Sequence, residues 1–140
     1  MKYNFKAPCS KKKLRAIRNF IGKNLKKHNL DDIEINMIVL AVDEVCANLI
    51  IHSHDCDPNE SLELNMNIDA KHEGVTFEII DRGEGFNILN YKEPSLDDIV
   101  RNKKKGGLGL MLVKRIMDHI EFKSSPKKNV CKLYKKFENH

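Results

Sequence analysis

The chain contains no tryptophan, and aromatic residues make up only 6% of its 140 positions. Surfaces that stack nucleic-acid bases interleave rings with cations, whereas the lysine runs here, Lys11 to Lys13, Lys103 to Lys105 and Lys127 to Lys128, have no rings among them. Direct nucleic-acid binding is therefore disfavoured despite a formal charge of +5, which suits nucleotide phosphates or acidic protein partners, although a solvated face explains most lysine runs. Four cysteines, Cys9, Cys46, Cys56 and Cys131, form no C-x-x-C pair. A domain of this length buries a core without covalent staples, so reduced thiols are expected, with Cys46 and Cys131 acting as small buried hydrophobes. No apolar run is long enough to cross a bilayer, and Met1-Lys-Tyr-Asn-Phe-Lys lacks the features of a signal peptide. Without an internal repeat or linker, residues 1–140 are expected to form one soluble, cytoplasmic domain.

What is present is a clear change of period along the chain. Tyr3, Phe5 and Ala7 alternate with polar neighbours, predicting a strand, and Leu14, Ile17, Phe20, Ile21 and Leu25 recur at helical spacing. Three lysines fall in the expected first turn of that helix and oppose its dipole. Asp31 or Asp32 can cap a second helix reaching about Ser53, with Ile33, Met37, Ile38, Ala41, Val42, Val45, Leu49 and Ile50 as its buried stripe. Leu62 to Ile68 and Val75 to Ile79 alternate strictly around Lys71-His-Glu-Gly74, which predicts a β-hairpin. Residues 87–105 show little periodicity and read as a lid. A third helix opens after Gly106-Gly107-Leu108-Gly109, and two closing strands contain Ile120 and Phe122, then Val130 to Phe137. With no βαβ alternation, the expected class is α+β: a two-layer sandwich with helices on one face of a mixed, mainly antiparallel sheet. No exposed apolar stripe is evident that would demand a dimer.

Three short stretches carry the chemistry. Glu44, Asn48 and His52 recur every fourth residue and share a side of the second helix. Asn48 offers a neutral oxygen to Mg²⁺, which takes hard oxygen ligands, and Glu44 is placed to accept a proton. His52 at a helix end has a dipole role available and is given no catalytic one. Asp81 ends a strand before Gly83 and Gly85, whose missing side chains permit a tight turn and close approach of a flat ligand, and a carboxylate there can accept from an exocyclic amine. Gly106, Gly107, Leu108 and Gly109 then lead into a helix whose unpaired N–H groups suit phosphate, with Lys105 adding positive charge.

Each stretch alone is most simply a polar helix face, a loop turn or a helix start. No G-x-x-x-x-G-K-[ST] is present, so a P-loop is excluded, and the glycines stand in no βαβ unit that would make them a dinucleotide fingerprint. The Asp81 run lacks the ladder of oxygen ligands of a calcium loop. His52, His54, Asp55 and Cys56 lie close together, but no second ligand pair follows at zinc spacing, and a polar loop is the preferred reading.

Taken together and in this order, Glu44-Val-Cys-Ala-Asn48, Asp81-Arg-Gly83-Glu-Gly85-Phe86 and Gly106-Gly107-Leu108-Gly109-Leu110 resemble the GHKL superfamily of ATPases, which includes histidine kinases and gyrase-type topoisomerases. The run from Gly106 to Asp118 is most similar to the anti-sigma factor serine kinases of bacteria, and the resemblance covers roughly residues 10 to 137. It implies the Bergerat-type sandwich, ATP and Mg²⁺ as ligands, Glu44 as general base, Asn48 on the metal and Asp81 on the adenine amine. Phosphate would be held by Lys105 and the Gly106 to Gly109 amides. It further implies transfer to a serine or threonine of a STAS-type anti-sigma factor antagonist and sequestration of a sigma factor, with homodimers common among relatives.

One departure lies before Cys131, where many relatives carry a glycine-rich turn and a threonine that helps bind adenine. Lys127-Lys128-Asn129-Val130-Cys131 stands here instead, and a thiol donates hydrogen bonds poorly. An alternative is therefore an ATP-binding regulatory module of the same fold that does not turn ATP over. Histidine-kinase-like transfer ranks lower, because no separate phosphoacceptor helix pair is present, and a topoisomerase or chaperone needs further domains.

Overall fold

Alternation of apolar and polar residues decides where the sheet lies and which way it faces. The computed structural model describes residues 1–8, 10–52, 61–69, 71, 73–81, 106–124 and 128–138. Along these run β1 (Lys2–Pro8), a 3-10 turn (Lys11–Lys13), α1 (Leu14–Lys26), α2 (Asp32–His52), β2 (Ser61–Ile68), β3 (Gly74–Asp81), α3 (Gly106–Ile116), β4 (His119–Ser124) and β5 (Asn129–Lys136). The α+β class and the order of elements are those expected. The expected lid, residues 87–105, lies outside the described residues.

The strands form one sheet in the order β1-β2-β3-β5-β4, and every neighbouring pair is antiparallel. This is stricter than the mixed sheet read from the sequence. β3 and β4 do run in the same direction, but β5 returns between them, so no parallel contact forms. Register aligns one apolar row across all five strands: Phe5 opposite Leu64, then Ile79, Cys131 and Phe122 in turn. Tyr3, Met66, Phe77, Leu133 and Ile120 make the next row. Over these rows lie Ile17, Ile21 and Leu25 of α1 and Ile38 and Val42 of α2, all buried. The opposite face of the sheet carries Asn4, Glu63, Asn65, Glu78 and Lys132, which suits water, so one layer of helices suffices.

α2 lies between α1 and α3 and packs on both. Asp31 is its cap: Oδ1 accepts the Glu34 N–H at 2.9 Å. Ile38, Ala41, Val42 and Val45 are buried as expected, whereas Ile33 and Met37 are 74% and 43% exposed. The cause is Glu34, which is buried and accepts the Glu138 N–H at 2.9 Å. A helix that turns Glu34 and Ile35 inward must turn Ile33 outward. Ser10 likewise changes the start of α1. Its carbonyl accepts the Lys13 N–H at 3.0 Å and its hydroxyl the Lys12 N–H at 3.2 Å, so the three lysines form a 3-10 turn ahead of the helix and not its first α-turn.

The capping geometry separates two adjacent aspartates. Asp31→Ala is expected to lower stability by about 1 kcal/mol, read as a lowered urea midpoint, whereas Asp32→Ala loses only a dipole interaction of a few tenths of a kcal/mol. Equal effects of the two substitutions would contradict the assignment.

Candidate functional site

The topology sets where the described candidates stand along the sheet and its helices. Asp81 closes β3 and stands opposite Asn129, which opens β5. At the other end, Glu34 near the start of α2 holds the Glu138 backbone just beyond β5. Asn48 then lies about 21 Å further along α2, at 1.5 Å per residue. α3 hands over to β4, whose His119 pairs with Tyr134 far from Asn129, so the C-terminus of α3 lies at the end of the sheet away from Asp81.

On α2, the Asn48 amide nitrogen donates to the Glu44 carbonyl at 2.7 Å. Asn48 is 9% exposed, and with its nitrogen engaged by the helix backbone its Oδ1 is the atom of the amide left to act as an acceptor or ligand. A neutral, oriented oxygen fits one position of a Mg²⁺ shell whose remaining ligands come from phosphates and water. Glu44 is partly buried, and its carboxyl pKa is raised, first by desolvation and then by the neighbouring Asp43 charge. Asp43 itself pairs with Arg18 of α1 at 3.1 Å, so the two adjacent carboxylates serve different flanks of α2. Raising the pKa makes Glu44 a better proton acceptor near neutrality.

Asp81 is 5% exposed on the helix-facing side of β3. Asn129, 3% exposed, shares that side and is the residue that reading the sequence for motifs passed over. The signal was present in β5, where Asn129 falls in phase with the inward-facing Cys131, Leu133 and Lys135. Cys131 lies further in, opposite Ile79, with burial pushing its thiol up to about 12. Cys46 is buried and shifted upward as well, so both free thiols stay protonated core groups, as expected.

Gly106 to Gly109 do not precede the third helix as expected. They form its first turn, which makes their N–H groups the ones that lack intrahelical acceptors. Glycine is a poor helix former, by about 1 kcal/mol each relative to alanine, so this turn is wound from residues that favour it least. Gly83, Gly85 and Lys105 lie outside the described residues, as do His54, Asp55 and Cys56. His52 closes α2. Among the described residues no group of His, Cys, Asp and Glu could by itself hold a metal ion. No described helix is long and apolar enough to cross a membrane.

The raised Glu44 pKa has a consequence for stability. A carboxyl that binds its proton more tightly when folded destabilises the fold as pH rises through the window between its unfolded and folded values. Glu44→Gln is therefore expected to melt with the parent at acidic pH and above it at pH 8. A lower melting temperature for the variant at pH 8 would contradict the shift.

Comparison with known proteins adds an independent line. Residues 7–135 match the family described as the histidine kinase-like ATPase domain. A protein of Halalkalibacterium halodurans named serine-protein kinase RsbW is 34% identical over 101 residues, covering 69% of this chain and 58% of that protein. Its namesake in Oceanobacillus iheyensis is 28% identical over 112 residues, covering 77% of this chain and 65% of that protein. The chain thus spans roughly three fifths of the length of these relatives. Among solved structures, the RsbU and RsbW domains of a Mycobacterium tuberculosis protein superpose over 100% of this chain and 33% of theirs, with a TM-score of 0.69 at 13% identity. The Acinetobacter baumannii histidine kinase AdeS covers 98% of this chain and 68% of its own, with a TM-score of 0.51 at 16% identity. At such identities these two likenesses concern the fold.

Proposed function

Because this chain belongs to the histidine kinase-like ATPase domain family, we propose that it is an ATP-dependent protein serine/threonine kinase acting as a cytoplasmic anti-sigma factor. Its substrate would be a STAS-type antagonist protein, and it would sequester a sigma factor. What supports the reading is the set of residues itself: Glu44 and Asn48 one turn apart on α2, Asp81 at the end of β3 and a glycine turn opening α3. Relatives named as serine-protein kinases supply the choice of acceptor.

Each residue has a stated task. The Asp81 carboxylate accepts from the adenine amino group, a choice that favours ATP over GTP because guanine presents a carbonyl at that edge. The backbone N–H groups at the start of α3, with Lys105, hold phosphate oxygens at the positive end of the helix dipole. Asn48 contributes one oxygen to magnesium, which when bound neutralises charge on the transferring phosphoryl group. Glu44 takes the proton of the acceptor hydroxyl as its oxygen bonds to the phosphorus and ADP departs.

The deciding experiment incubates the chain with labelled ATP, magnesium and candidate STAS-type proteins. Transfer to a partner serine or threonine is expected, with Glu44→Ala reducing it by about 10² to 10⁴ while ATP affinity stays near that of the parent. ATP binding without transfer to any partner would favour the non-hydrolysing module, to which the buried thiol at Cys131 lends some support. No binding of ATP at millimolar magnesium would overturn both.

A further inference from the structure

The outward side of α2 is not the surface of an ordinary exposed helix. From Ile33 to Val42 its only charged residue is Glu34, which is buried, and Ile33, Met37 and Leu40 stand 74%, 43% and 42% exposed in one stripe at helical spacing. A segment apolar on all sides is normally buried on all sides. Here α1 and α3 flank it and the sheet lies beneath, which leaves the fourth side to something else.

Beside the stripe, α1 and α2 enclose a groove of about 530 Å³. Its α1 wall presents Arg18, Lys23 and Lys26, and its α2 wall Ile35, Asn36 and Val39. Arg18 is paired with Asp43, whereas Lys23 and Lys26 are exposed on the rim. The surface is therefore an apolar ridge with a cationic margin, next to a cleft that runs along a helix pair.

We propose that this face docks an amphipathic helix of a partner protein, with apolar residues over Ile33, Met37 and Leu40 and carboxylates toward Lys23 and Lys26. Helix-in-groove recognition reads anchors at the spacing the stripe displays, and opposite charge at the margin fixes orientation. Two other occupants fit less well. A second copy of this chain, related by a two-fold axis that runs across α2, would bring one basic margin against another. Residues 82–105 of the chain itself hold six Lys and Arg against four Asp and Glu, the same sign as the margin. The test uses no ATP and none of its substitutions touches Glu44, Asn48 or Asp81, so its failure would leave the kinase reading standing.

The test uses the whole chain and a fluorescein-labelled synthetic peptide of about five helical turns, with a leucine stripe flanked by glutamates, alongside a twin in which lysines replace the glutamates. Saturable anisotropy with the acidic peptide is expected, with at least tenfold weaker binding by the pair Met37→Asp and Leu40→Asp and by the pair Lys23→Glu and Lys26→Glu. Both variants should retain a cooperative melt, which shows that lost binding is not lost folding. The charge-reversal pair should also gain affinity for the lysine twin, which a merely destabilised chain would not do. No binding of the acidic peptide, equal binding of both peptides, or unchanged affinity in the variants would overturn the proposal. So would sedimentation of the chain alone as a dimer that Met37→Asp and Leu40→Asp dissociate, which would assign the face to a second copy.

Discussion

Burial of one face of the sheet beneath α2 sets the position of everything else. α2 touches α1 on one flank and α3 on the other, and its buried side packs over β3 at the middle of the sheet. Because Glu34 is tied to the Glu138 backbone at one end, the helix has little freedom to rotate or slide. The same constraint that turns Ile38 and Val42 into the core fixes the direction in which Glu44 and Asn48 leave the helix. Core packing and site geometry are thus set by a single rotation about one axis.

Much of this was legible in the residue order. Strict alternation in β2 and β3 gave both the hairpin and its buried side, and Asp31 or Asp32 marked the α2 start through the capping preference of short acids, with the structure choosing Asp31. Two kinds of information were not. Which side of α2 faces inward cannot be read from a segment apolar almost all round, and the contact that decides it joins residues 34 and 138, a pairing no local pattern encodes. The pairing of Asp81 with Asn129 likewise depends on β5 inserting between β3 and β4, a choice of strand order that alternation alone does not make. Of the candidate site, the residues on regular elements could be placed, because periodicity specifies elements well and the turns between them poorly.

The site divides its work between a rigid part and a soft one. Glu44, Asn48 and Asp81 sit on elements anchored in the core, so their spacing follows from packing. The first turn of α3 is rich in glycine, which gains little from being helical, and its N–H groups are the ones a helix leaves unsatisfied. Under the proposed function, rigid side chains would serve recognition and chemistry and a pliable backbone would serve the anion.

An open sheet with two margins carries a hazard of its own, since free strand edges invite further strands to join. Among the described residues β1 and β4 form those margins, and charged side chains stud both, Lys2 and Lys6 on β1 and Glu121 and Lys123 on β4. A chain arriving edge-on must desolvate these charges before any ladder can grow. The borders of the sheet therefore guard against fibre-like stacking, while its two faces are occupied by helices and by water.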